Sequence, residues 1–177
     1  LMDPVYPYYA GRANFVDADV SYVPVAEDGH VDAGAVRAAA SDETAVIVVN
    51  SPNNPMGVTY DRDTMASLVE VTEDHDALLV SDEVYDHFDY SGRFESALAF
   101  DSPHRLVTNA FSKSMAITGF RVGYAVFPDP EGPTGDLVET ARTRHMLTNV
   151  SGSRPAQAAV LHALRHTDPE YYEGVRD

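Results

Sequence analysis

Lys113 is the only lysine in this 177-residue chain, and other reactive side chains stand at telling distances from it. A lysine becomes a nucleophile once it loses its proton, which nearby cationic groups or partial burial promote. In that state Lys113 can condense with an aldehyde. Eight residues later, Arg121 offers a forked guanidinium that matches a phosphate. Asp82 can hold a pyridine nitrogen protonated, which turns the ring into an electron sink. Tyr85 and Asn54 can donate hydrogen bonds to a phenolate oxygen. Lysine, arginine and aspartate in these roles describe a pyridoxal phosphate site.

The elements that must position these residues can be read from apolar runs. Val20–Val25, Ala45–Asn50, Ala77–Ser81, Arg105–Asn109 and Val122–Phe127 are expected as strands. Val46-Ile47-Val48-Val49 and Leu78-Leu79-Val80 are continuous rather than alternating, as in strands covered on both faces. Val31–Ala40 and Asp63–Glu73 show helical spacing, with Asp61 or Asp63 as N-cap of the second. Pro128, Pro130, Gly132 and Pro133 form a break. Helices are expected again near Leu137–Met146 and Pro155–His166, and Asp168-Pro169 opens another. The fold class is therefore α/β, a mostly parallel sheet with helices on both faces, whose chemistry lies on loops after the strand carboxyl ends. Three polar clusters fall there: Asn50 to Gly57, Ser81 to Tyr85, and Asn109 to Lys113, with Thr118 to Arg121 just beyond.

These motifs resemble the large domain of fold-type-I pyridoxal phosphate enzymes, and specifically class I/II aminotransferases. Phe111-Ser112-Lys113 through Arg121-Val122-Gly123 resembles the family's lysine signature. Asn54-Pro55-Met56-Gly57 is similar to its asparagine-proline-x-glycine turn, and Asp82-Glu83-Val84-Tyr85 to its aspartate-x-x-tyrosine. The resemblance implies that Lys113 carries pyridoxal 5'-phosphate as a Schiff base and then shuttles a proton at the substrate Cα. It implies that Asp82 pairs with the ring nitrogen, Tyr85 and Asn54 contact the ring oxygen, and Arg121 binds the phosphate. Asp3-Pro4-Val5-Tyr6-Pro7 resembles the segment whose aromatic residue stacks on the ring, which assigns that place to Tyr6. Ser112 joins the cofactor contacts. The family also suggests cis peptides before Pro4 and Pro55. One departure is Ala110, where the family usually has a serine or glycine; a phosphate contact there is lost, worth about 1 kcal/mol or somewhat more.

The implied activity is transfer of an amino group between an amino acid and a 2-oxo acid by a homodimer. A lyase, decarboxylase or synthase of the same fold, or a cofactor-sensing domain of a transcription regulator, are the alternatives. Residues 1–168 are expected to be part of the cofactor-binding large domain and 169–177 the start of the inter-domain helix, with the small domain and earlier segments outside the chain.

Composition narrows the field further. Acidic residues outnumber basic ones 28 to 12, a formal net charge of −16. Such a surface repels nucleic acid and anionic membranes. It is read as adaptation to high salt, with an acidic protein–partner surface as the alternative. The absence of cysteine excludes disulfides and thiolate zinc sites. No apolar run is long enough for a membrane span. Leu1 is not an initiator methionine, and a cytoplasmic location is the default. His75, Asp76, Asp82, Glu83, Asp86, His87 and Asp89 crowd together, but their spacing matches no helical ligand pair, and no metal site is expected. His30, His104, His145, His162 and His166 have no paired carboxylate or nucleophile and are read as surface or core residues. Neither a Gly-x-Ser-x-Gly elbow nor a Gly-x-Gly-x-x-Gly fingerprint is present.

Overall fold

The computed structural model describes residues 1–128 and 135–176. Two short strands, β1 (Met2–Asp3) and β2 (Val23–Pro24), pair in parallel, with helix α1 (Tyr8–Asn14) between them in sequence. Helix α2 (Ala33–Ala39) follows, capped by Asp32, whose side chain accepts from the Gly34 and Ala35 amides. The main sheet is built from β3 (Val46–Asn50), β4 (Leu78–Asp82), β5 (Arg105–Ala110) and β6 (Gly123–Val126), in that spatial order. The first three strands are parallel; β6 runs antiparallel to β5.

The β-branched run of β3 suits a pleated strand. Ile47 and Val49 are buried, as are Leu79 in β4 and Val107 in β5. Helix α3 (Arg62–Asp74) covers them with Met65, Leu68, Val69 and Thr72, which recur at helical spacing, and with Val71. Asp61 is its N-cap, accepting from the Thr64 amide at 3.0 Å. Tyr60 lies fully buried in the same core. The four-residue helix α4 (Phe111–Ser114) grows directly out of β5. Helices α5 (Gly135–Asn149), α6 (Arg154–His166) and α7 (Pro169–Gly174) complete the chain.

Each expected strand and helix is present, with shifted ends. The strand expected over Val20–Val25 contracts to Val23–Pro24, because only that pair meets a partner strand. The strand expected over Ala77–Ser81 is shifted by one residue to Leu78–Asp82, which brings Asp82 into register with Asn50 of β3. Pro130, Gly132 and Pro133 of the expected break lie outside the described residues. The peptides before Pro4 and Pro55 are cis, as is the one before Pro52.

A second ordering device lies beyond β4. The Asp89 carboxylate accepts from the hydroxyls of Thr59 (2.8 Å) and Ser91 (2.6 Å) and from the amides of Ser91 (3.0 Å) and Phe94 (2.9 Å). Burial alone would raise the pKa of Asp89, but these hydrogen bonds outweigh it and hold the value at about 2, against 3.8 for the free group. A depressed acid pKa contributes stability above the unfolded value and loses it as pH falls through the folded one. Asp89→Asn is therefore expected to cost about 1–2 kcal/mol at neutral pH. The difference from wild type should shrink between pH about 4 and about 2 in denaturant melts.

Candidate active site

The parallel register brings the carboxyl ends of β3, β4 and β5 side by side. Asn50 of β3 aligns with Asp82 of β4, and Asp82 with Thr108 of β5. The Asn50 amide nitrogen donates to the Asp82 carbonyl at 2.9 Å, and its oxygen accepts from the Asn54 backbone at 2.8 Å. One buried side chain thus ties the Asn54 turn to the end of β4. Asn53 closes that turn, accepting from the Met56 amide at 3.0 Å, and Gly57 takes the positive φ of +70° that completes it.

Asp82 has both carboxylate oxygens engaged. One accepts from the Val84 amide at 3.2 Å; the other accepts from the Tyr9 hydroxyl. Burial pushes the Tyr9 phenol far up, and the charge and hydrogen bond of Asp82 add to the shift. Tyr9 is therefore a fixed donor at any ordinary pH. Next to Asp82, Glu83 is buried and accepts from Ser81 (3.1 Å) and the Ala97 amide (2.8 Å), with burial pushing its carboxyl up.

Lys113 sits in the single turn of α4, its Nζ 5.4 Å from the centre of the Tyr85 ring. Arg121 adopts a left-handed conformation at φ +55°, and its guanidinium donates to the Thr118 carbonyl at 2.6 Å. Gly123 lets β6 approach the lysine loop. A Cβ there would stand 2.8 Å from the Asn109 carbonyl oxygen and 3.2 Å from the Ala110 Cβ. Asn109 is held by donating to Asp86 at 2.9 Å and accepting from the Ala110 amide at 2.7 Å. Tyr6, 40% exposed, stacks on Tyr8 with ring centres 5.1 Å apart and meets Tyr9 edge-on.

All seven residues singled out in the sequence, Tyr6, Asn54, Asp82, Tyr85, Ser112, Lys113 and Arg121, line one cleft of about 420 Å³. Tyr9 and Asn50 line it too and were not singled out. Tyr9 lies 73 residues from Asp82, so only the fold joins them. A usable signal for it was the Tyr-Pro-Tyr-Tyr run, in which Tyr9 follows Tyr6 by about one helical turn. A larger basin of about 750 Å³ between Arg121 and the start of α6 contains His145, Asn149 and Ser153. Among the described residues its lining includes neither Lys113 nor a carboxylate, so the smaller cleft is the candidate site. Beyond that cleft, α7 docks against the segment after Tyr85. Tyr172 stacks on His87 at 4.5 Å, and the Tyr90 hydroxyl donates to the Arg176 carbonyl at 2.9 Å.

Comparison with known proteins bears directly on this arrangement. The family model for aminotransferase class I and II matches residues 1–176. A probable aspartate aminotransferase of Methanocaldococcus jannaschii is 30% identical over 177 residues, all of this chain and 47% of that protein. A probable aspartate/prephenate aminotransferase of Thermus aquaticus is 40% identical over 164 residues, 92% of this chain and 41% of that protein. Among solved structures, an aspartate aminotransferase double mutant of Thermus thermophilus superimposes with a TM-score of 0.91 at 31% identity. It is matched over 99% of this chain and 45% of its own. The chain thus spans somewhat under half the length of these relatives. In sequence and in its fold-type-I architecture, it belongs to the class I and II aminotransferases.

Proposed function

We propose that this chain forms part of a pyridoxal 5'-phosphate-dependent aminotransferase that moves an amino group between an amino acid and a 2-oxo acid. The carrying observation is the convergence of one amine, one clamped carboxylate and one guanidinium on a single cleft, between Lys113, Asp82 and Arg121. That donor set fits the cofactor: an amine for its aldehyde, an anion for its ring nitrogen, and a fork for its phosphate. When bound, pyridoxal phosphate supplies an aldehyde that condenses with amines and a ring that accepts the electron pair released at the substrate Cα.

The chain's own residues divide the remaining work. Lys113 holds the cofactor at rest and, once displaced by the substrate amine, moves a proton at the substrate Cα. Asp82 keeps a proton on the ring nitrogen, and the Tyr9 hydrogen bond holds that carboxylate in place. The Tyr85 hydroxyl and the Asn54 amide serve the ring oxygen. Arg121 and Ser112 hold the phosphate, with Ala110 contributing no side-chain donor. Tyr6 covers a ring face, with Tyr8 stacked on its other side. Residues 1–168 belong to the cofactor-binding large domain and 169–177 begin the inter-domain helix in this proposal, and the whole protein acts as a homodimer.

Borohydride reduction of the cofactor-loaded whole protein, followed by peptide mapping, tests the assignment. A pyridoxyl adduct on Lys113 is expected; its absence there would falsify the proposal. Lys113→Ala should lower oxo-acid-dependent amino transfer roughly 10²–10⁴-fold, the usual contribution of a positioned proton-transfer group. Product formed without any oxo acid would point to a lyase instead. Tyr9→Phe removes one hydrogen bond to a charged group, so kcat/KM should fall roughly tenfold. Asp82→Asn should fall further, and the reverse order would remove Tyr9 from its supporting place.

A further inference from the structure

The helix that carries Lys113 cannot hold its own place. It has four residues, too few to be stable alone, and Ala110 at its N-cap offers no side-chain bond. Its position is therefore set by what grips residues 109–111 from outside. On one side is β6: the Phe111 amide donates to the Val122 carbonyl at 3.2 Å, and the rings of Phe111 and Tyr124 lie 5.5 Å apart. On the other side is Asp86. One of its carboxylate oxygens accepts from the Asn109 side chain at 2.9 Å, and the other from the His87 amide at 2.7 Å. The Asn109 oxygen in turn accepts from the Ala110 amide at 2.7 Å, at the entry to the helix. Asp86 directly follows Tyr85, in a turn closed by the Phe88 amide donating to the Tyr85 carbonyl at 2.8 Å. Asn109 lines the cleft together with Tyr85 and Lys113; Asp86 stands behind it, outside the lining.

We propose that Asp86, acting through Asn109, is a positioning residue that ties the Tyr85 turn to the Lys113 helix and so fixes the amine and the phenol relative to each other. The inference rests on the proposed role of Lys113 as the reactive amine. A carboxylate suits this place because it only accepts. It turns the nitrogen of the Asn109 amide toward itself and leaves the oxygen for the Ala110 peptide. The bond is charge-assisted, and the Asp86 side chain is only 26% exposed, so it is stronger than a surface contact. A reacting group misplaced by about 1 Å can lose roughly a hundredfold in rate, so a tie outside the cleft has a kinetic consequence.

The test is peptide-resolved amide hydrogen exchange on the cofactor-free whole protein, followed by steady-state kinetics on the loaded one. Asp86→Ala should speed exchange over residues 110–115 at least about tenfold, while peptides of β3 and α3 keep wild-type protection. Asn109→Asp sets two carboxylates face to face and should do the same. The exchanged pair, Asp86→Asn with Asn109→Asp, reverses donor and acceptor yet keeps each hydrogen bond of the relay. It should recover protection to within about threefold of wild type. In the loaded protein, Asp86→Ala should lower kcat roughly tenfold and leave the substrate KM values within about twofold. Wild-type exchange in Asp86→Ala, no recovery in the exchanged pair, or an unchanged kcat would each overturn the assignment. If Asp86→Ala loosens β3 and α3 as well, Asn109→Asp against the exchanged pair decides in its place. Exchange is read without cofactor, so its failure refutes the tie, whereas a missing pyridoxyl adduct on Lys113 refutes the proposed reaction.

Discussion

The register of three parallel strand ends governs the rest of this structure. Asn50 must face Asp82, and Asp82 must face Thr108, for the loops beyond them to enclose one cleft. Side chains alternate along a strand, so a slip of one residue would turn Asp82 into the neighbouring layer and bring Glu83 to its place. Several bonds oppose such a slip at the ends themselves. The Ser51 amide donates to the Asp82 carbonyl at 3.2 Å, the Glu83 amide to the Thr108 carbonyl at 2.9 Å, and Asn50 bridges β4 to the Asn54 turn. The buried aliphatic pattern of Ile47, Val49, Leu79 and Val107 fixes the same alignment from below. Core packing and site assembly are thus one requirement.

A half-buried anion such as Asp82 is unfavourable unless hydrogen bonds replace its lost water. The Val84 amide and the Tyr9 hydroxyl supply that replacement. Tyr9 comes from α1, which buries no residue of its own. That helix therefore has little reason to exist in a core-packing account. Its contribution is to deliver Tyr9 to Asp82 and to place Tyr8 against Tyr6. The electrostatics elsewhere take the opposite course. Arginine accounts for every basic residue except Lys113, while 28 acidic residues cover the chain. Arginine stays protonated and cannot condense with an aldehyde, so a lysine kept at this one position is what the proposed chemistry requires.

These differences explain what was legible in the sequence. Val46 to Val49 and Leu78 to Val80 are β-rich runs, and α3 repeats its apolar residues at helical spacing, so burial wrote those elements into local composition. Asp61, Asp32 and Asp168 cap helices through bonds within three residues, which are also local. Helix α1 was not expected, because Tyr8 to Asn14 has no apolar stripe to mark it. The seven candidate residues were legible through motifs, whereas Tyr9 and Asn50 act through contacts 73 and 32 residues away.

The Arg121 end of the cleft shows how strain and packing combine at one loop. Arg121 holds a left-handed backbone that costs a non-glycine residue about 1–2 kcal/mol. Its own guanidinium returns to the Thr118 carbonyl, which fixes the fork relative to the turn it terminates. Two residues on, Gly123 has no room for a side chain against Asn109 and Ala110. The same crowding bears on Ala110, whose Cβ already faces the glycine backbone of β6. A small residue at each of these two positions lets β6 lie close against the lysine loop. That close approach carries Arg121 to the cleft wall it shares with Lys113 and Ser112. The strained residue thus stands where the proposed function asks for a rigid, pre-oriented cation.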